Sequence, residues 1–254
     1  VKVTLVESSV GRGSHQQILA SYLINDTVCL DAGALGFITP LDVQKKVEHV
    51  FLSHSHLDHI ASLPIFIDNV YTPGPQCPVV YGSPATLGVV RDHLFNDVVW
   101  PDMIRLSGEE TPFLRLQELQ PEVPVECCGL KVTGVELDHV LPTLGFIVEA
   151  PDAAVAFISD TSPTDRIWEL VNATPQLKAV FLECSFPDSM TWLADKAKHL
   201  TPAMFKAELQ KLKRDVGVFS IHIKTAFDAK IRSEIAALNL PNVSIGEPGA
   251  VYNF

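Results

Sequence analysis

The stretch Phe51-Leu52-Ser53-His54-Ser55-His56-Leu57-Asp58-His59-Ile60 decides how this chain is read. Three of the nine histidines, His54, His56 and His59, fall within six residues, with Asp58 between them. The cluster directly follows the apolar run Val50, Phe51, Leu52, so it sits where a strand gives way to a loop. Loops of this kind hold chemistry on a rigid sheet. On extended chain His54 and His56 point the same way, whereas Asp58 and His59, on the following turn, can face a second ion. The spacing therefore suggests two metal ions rather than one. Imidazole and carboxylate suit Zn, Mn or Fe, and no thiolate is required.

Outward from this point, short β-rich runs follow one another: VKVTLVESS, ILASYLIN, TVCLDAG and HVFLSH, separated by Gly, Asn-Asp or charged residues. Asp31, at the acidic end of TVCLDAG, falls where a strand stops. Past His59 the pattern turns helical, with Ser83-Pro84 as cap and first-turn residue of SPATLGVVRDHLF. The second half repeats the theme with LKVTGVELDH, LGFIVEA, AAVAFISD and AVFLECSF as strands. Helices are expected over 162–172 and 202–214, and GVFSIHI and NVSIG close the series around the helical KIRSEIAAL. Three further candidate ligands stand where these strands end: His139 after LKVTGVEL, Asp160 closing AAVAFISD, and His222 in GVFSIHI. Two strand-rich halves, each followed by helices, predict an α/β protein of two packed sheets with helices outside. No fixed repeat or long linker asks for a boundary, so residues 1–254 are expected to form one domain.

With 47% hydrophobic and 19% charged residues over 254 positions, the chain can bury a sizeable core and is not a disordered one. Its 19 Lys+Arg against 30 Asp+Glu give a formal charge of −11, which argues against nucleic acid or anionic lipid as partner. A pair of bound divalent ions reverses the sign locally for a small anion. Five cysteines without CxxC spacing read as reduced thiols, and no apolar run reaches the length of a bilayer span. The cytoplasm is the expected compartment. The turn GRGS at Gly11 to Ser14 lacks the spacing of a P-loop and reads as a rim turn. His15, His49 and His93 have no partner pattern around them and read as structural.

The run His54-Ser55-His56-Leu57-Asp58-His59 resembles the HxHxDH motif of the metallo-β-lactamase superfamily, and His139, Asp160 and His222 match its later stations. The resemblance implies a four-layer αβ/βα sandwich. It implies one ion on His54, His56 and His139, a second on Asp58, His59 and His222, and Asp160 between them. Asp31 matches the superfamily's early Asp, a support for the metal loop. ECSFP at Glu183 to Pro187, KHLTP at Lys198 to Pro202, and the closing LPNVSIGEPGAVYNF narrow the resemblance to class II 3′,5′-cyclic nucleotide phosphodiesterases. That branch implies hydrolysis of cyclic AMP, with cyclic GMP second, to the nucleoside 5′-monophosphate. Two divalent ions, Zn first and Mn or Fe as alternatives, serve as cofactors, and homodimerisation is compatible with the superfamily. Asp58 is expected to orient or deprotonate the attacking water, and His199 to bind a phosphoryl oxygen or protonate the leaving oxygen. The rival readings are a tRNA 3′-processing phosphodiesterase, a thioester or carboxyl-ester hydrolase, and a non-catalytic metal- or nucleotide-binding module.

Overall fold

The computed structural model describes residues 1–8 and 17–254; the GRGS turn and His15 lie outside the described residues. Among these, fourteen strands form two seven-stranded sheets. The first half of the chain supplies β1 (Lys2–Leu5), β2 (Tyr22–Ile24), β3 (Val28–Leu30), β4 (His49–Phe51), β5 (Val79–Gly82) and β6 (Arg115–Glu118). The second supplies β7 (Val125–Cys127), β8 (Leu130–Leu137), β9 (Thr143–Glu149), β10 (Ala154–Ile158), β11 (Leu177–Glu183), β12 (Gly217–Ile221) and β13 (Val243–Ile245). The last strand, β14 (Val251–Asn253), returns to the first sheet. The sheet orders are β14-β1-β2-β3-β4-β5-β6 and β13-β12-β11-β10-β9-β8-β7. Each sheet has an antiparallel portion and a parallel run of four strands, β3 to β6 in one and β10 to β13 in the other.

Period-2 alternation sorts the side chains into layers. Ile24, Val28, Leu30, Phe51 and Tyr81 of the first sheet meet Leu144, Phe146, Val148, Phe157 and Phe181 of the second in a shared apolar layer. Their alternates Leu23, Cys29, Val50 and Val80 point outward onto Leu63, Phe66 and Ile67 of the helix Leu63–Val70 and onto Leu87. On the far side, Ile147, Ala156, Ile158, Val180, Leu182 and Val218 pack under Ile167, Trp168, Phe205 and Ile231. The layer order is therefore helices, sheet, sheet, helices, the expected αβ/βα sandwich. Rings cross the central layer: Tyr22 meets Phe157 at 5.2 Å, and Phe51 meets Phe146 edge-on at 6.0 Å.

The sequence pattern located most elements and misplaced several ends. Ser83 caps as read, its Oγ accepting from Thr86 N at 3.1 Å, but the helix Pro84–Val89 widens into a π-helical turn over Val90–Leu94. The helix expected over 202–214 stops at Leu209, and the one expected over 162–172 runs Arg166–Ala173. The strands β5, β6, β7 and β14 were not expected: β5 follows the Pro-rich stretch without a gap, and β6, β7 and β14 are short, with few buried side chains. No helix of the described residues is long and apolar enough to cross a membrane, and the five cysteines are unpaired.

Candidate metal centre

The parallel runs converge on one edge of the sandwich. Strand β4 ends at Phe51 and delivers Ser53 and His54; His56 is the N-cap of the short helix Leu57–Ile60, whose first turns carry Asp58 and His59. β8 ends just before His139, β10 two residues before Asp160, β11 on Glu183, and β12 one residue before His222. Segments distant in sequence thus place their polar termini together. Donor atoms of His54, His56, His139 and Asp160 lie within 4.8 Å of one another, as do those of Asp58, His59 and His222, and those of Asp160, His199 and His222. Every metal-ligand candidate read from the sequence is brought into this cluster, with His199 beside it.

The hydrogen bonds around the cluster determine which ring nitrogens face inward. Asp31, held at φ 59°, accepts from Ser53 N at 2.7 Å on one oxygen and from Ser53 Oγ at 2.8 Å on the other, which also meets His59 Nδ1 at 2.7 Å. With its proton given to Asp31, Ser53 Oγ accepts from His54 Nδ1 at 2.9 Å. His139 Nδ1 donates to Lys198 O at 2.9 Å, and a carbonyl can only accept. Ser185 Oγ donates to Glu183 Oε2 at 2.8 Å and accepts from His222 Nδ1 at 3.0 Å; His222 is itself left-handed at φ 57°. In each of these four imidazoles the Nδ1 proton is used outside the cluster, which leaves the Nε2 lone pair pointing in.

Those lone pairs meet at distances that protons alone do not satisfy. His59 Nε2 and His222 Nε2 are 3.2 Å apart, and His56 Nδ1 faces both His54 Nε2 at 3.1 Å and His139 Nε2 at 3.3 Å, although it can give only one proton. Asp160 Oδ1 is buried and accepts no hydrogen bond, while its Oδ2 lies 3.5 Å from His59 Nε2 and 3.6 Å from His54 Nε2. Facing acceptors and an orphaned carboxylate oxygen are what a cation resolves, so the residues present fit divalent metal.

Without metal the cluster titrates as a network of opposed effects. Burial and neighbouring imidazoles lower His54, and burial lowers His56 and His139 against the pull of Asp160. For His59 burial also opposes the charge, yet Asp31 and Asp160 outweigh it and raise the ring well above its ordinary value. Burial disfavours ionised Asp58, but the neighbouring His222 and His59 imidazoles outweigh it and hold its carboxyl below the usual range.

His199 stands apart from the four rings above. Its Nδ1 is 2.7 Å from Glu183 Oε1, its Nε2 is 4.0 Å from Asp160 Oδ2, and it stacks on His222 with ring centroids 5.8 Å apart. Burial opposes its protonation, but Glu183 and Asp160 overcome that penalty and raise its pKa. Glu183 is also fixed by Thr161 N at 3.1 Å and by Ser185 Oγ. In the sequence Glu183 stands out only as part of ECSFP, and nothing there marks Ser53, Ser185 or the Lys198 carbonyl. The one available signal was position: Glu183 closes an apolar strand just as Asp160 follows one.

A cleft of about 250 Å³ opens beside the cluster, lined by Gln17, Ile18, Asp58, His222, Ile223, Lys224 and Thr225. The Lys224 ammonium lies 5.3 Å from the Phe186 ring centroid, and that ring meets His199 edge-on at 5.6 Å.

A family model described as cAMP phosphodiesterases class-II matches residues 36–138. A probable 3′,5′-cyclic-nucleotide phosphodiesterase of Yersinia pestis is 27% identical over 210 residues, covering 72% of this chain and 59% of that protein. The unliganded crystal structure of yeast PDE1 superposes with a TM-score of 0.80 at 17% identity, covering 98% of each chain. A metallo-β-lactamase fold protein of Bacillus subtilis superposes with a TM-score of 0.72 at 18% identity, covering 99% of this chain and 98% of that one. The chain has the metallo-β-lactamase fold and resembles the class II cyclic-nucleotide phosphodiesterases. It spans between about half and three fifths of the length of the curated relatives it first matches.

Proposed function

We propose that the chain is a metal-dependent phosphodiesterase that hydrolyses 3′,5′-cyclic nucleotides, cyclic AMP first and cyclic GMP second, to nucleoside 5′-monophosphates. Two divalent ions, Zn as first candidate, would be held by His54, His56 and His139 and by Asp58, His59 and His222, with Asp160 shared. Bound there, they supply Lewis acidity toward phosphoryl oxygens and make water nucleophilic near neutral pH.

The chain's own groups complete the reaction. Asp58, lining the cleft, orients the attacking water. His199, with Nδ1 engaged by Glu183, directs Nε2 toward the cluster and gives its proton to the departing 3′-oxygen. Lys224 attracts the phosphodiester anion into a cleft of an otherwise acidic protein. The observation that carries this reading is the Glu183–His199 pair beside Asp160: a buried, charge-supported imidazole is a proton donor suited to an alkoxide leaving group. The chain's acidity favours a small substrate over a polyanion, and five free cysteines support a reducing compartment, the cytoplasm.

The test is a substrate panel on metal-reconstituted protein: cyclic AMP, cyclic GMP, a tRNA bearing a 3′ extension, and a thioester. Formation of 5′-monophosphate from a cyclic nucleotide, faster than turnover of the other two, is the expected result. Preferential cleavage of the RNA or the thioester would overturn the substrate assignment.

A further inference from the structure

The far end of the sandwich carries a second group of metal-ligating side chains. Because β4 begins at His49 and delivers His54 beyond its other end, Glu48 and His49 sit at the opposite end of that strand from the cluster. A turn of the second sheet reaches them there. Cys127 pairs with Leu130 across β7 and β8, which leaves Cys128 and Gly129 as a two-residue turn with φ of 48° and 72°. Donor atoms of Glu48, His49 and Cys128 lie within 4.8 Å of one another.

Both sides of this group are held in place. Glu48 N and His49 N donate to Thr27 O at 2.9 and 3.3 Å, Val79 N donates to Glu48 O at 2.9 Å, and His49 Nδ1 meets Tyr81 Oη at 3.2 Å. One ring nitrogen of His49 is thus engaged and orients the other, as in metal sites generally. The turn chemistry is informative as well. The first position of such a turn needs a left-handed backbone, for which Asn, Asp or Gly is favoured, so turn geometry does not explain a cysteine there. Cys127 packs against the central core, whereas Cys128 is exposed and free.

We propose that Glu48, His49 and Cys128 form a separate metal site for a borderline or soft divalent cation such as Zn(II), clamping the first sheet to the second. Carboxylate, imidazole and thiolate are a donor set Zn accepts, with water completing the tetrahedron. Bond lengths for such ligands place donors about 3.3–3.8 Å apart, which small side-chain rotations reach from the present spread. The Cys128 thiol proton passes to solvent as the ion binds.

Cobalt(II) titration of the reduced holoprotein tests this directly. The His/Asp cluster contains no thiolate donor, so a near-ultraviolet sulfur-to-cobalt charge-transfer band reports a thiolate site outside it, and the cysteine variants assign the band to its thiol. The expected result is a saturable band that is abolished by Cys128→Ser, weakened at least tenfold in affinity by His49→Gln, and retained in Cys77→Ser. Absence of the band in the wild-type protein, its persistence in Cys128→Ser, or unchanged affinity in both His49→Gln and Glu48→Gln would overturn the site. His49→Gln keeps the thiol and the turn, so a folding defect in the cysteine variant leaves the proposal testable. The readout is independent of phosphodiesterase activity.

Discussion

The carboxylate of Glu183 lies 2.7 Å from Nδ1 of His199 and fixes that ring with Nε2 toward Asp160 and the His/Asp cluster. Both groups are buried, so the pair is insulated from the screening that makes surface ion pairs weak. A buried carboxylate behind an imidazole both selects its tautomer and supports its protonated form.

Removing that support has a defined consequence. Glu183→Gln keeps an acceptor for Thr161 N but withdraws the charge, so the His199 pKa is expected to fall in an NMR titration of metal-free protein. The turnover number should drop about 10- to 100-fold with metal content preserved, within the range of general-acid contributions. An unchanged titration would remove Glu183 from this role.

The same pair sets a pH dependence of stability in the metal-free protein. Its folded pKa is raised above the ordinary 6.5, so the native state holds this proton more tightly than the unfolded chain. The contribution is complete below about pH 6.5 and is lost as pH rises through the raised value. Denaturant titrations of wild-type and Glu183→Gln protein across that window should therefore converge on the alkaline side.

Asp31 orients the metal loop through three short contacts, to Ser53 N, Ser53 Oγ and His59 Nδ1. Asp31→Asn replaces an acceptor by a donor facing His59 and should weaken metal affinity about 10- to 100-fold, measured by competition with a chelating dye. Equal affinity would show that the loop holds its shape without this carboxylate.

Two glycines separate packing from propensity. A Cβ on Gly33 would stand 1.9 Å from Asp58 O and 2.8 Å from Ala20 N and O, all backbone atoms that also carry the loop. Gly33→Ala should cost at least the ~1–3 kcal/mol typical of overpacking and reduce metal retention with it. Gly88, in the helix Pro84–Val89, meets nothing within 4 Å, so Gly88→Ala should stabilise by about 0.5–1 kcal/mol in thermal or denaturant unfolding.

What the sequence disclosed follows from what spacing can carry. His54, His56, Asp58 and His59 are close in the chain, so their type and spacing were enough to read them as one candidate metal-binding loop. His139, Asp160 and His222 were legible because each follows an apolar run, and β8, β10 and β12 run in one direction, which brings these ends to one edge. The β-rich runs of β2 to β4 and β8 to β11 likewise disclosed two sheets buried between helices. Ser53, Ser185 and the Lys198 carbonyl were not legible, because their importance lies in which distant ring nitrogen they meet. The approach of Cys128 to His49 was not legible either, because Cys128 comes from the other sheet. The edge strands β6 and β14 bury too little to leave a pattern, and the helix ending at Leu209 stops without a Gly or Pro to mark it.

Cyclic nucleotide hydrolysis is decided by following nucleoside 5′-monophosphate release from cyclic AMP and cyclic GMP, with metal-reconstituted wild-type and Asp58→Ala protein side by side. The expected result is stoichiometric 5′-monophosphate from the wild type and a loss of at least about 100-fold in the variant. No turnover of either cyclic nucleotide by metal-loaded wild-type protein, or equal turnover by Asp58→Ala, would contradict it.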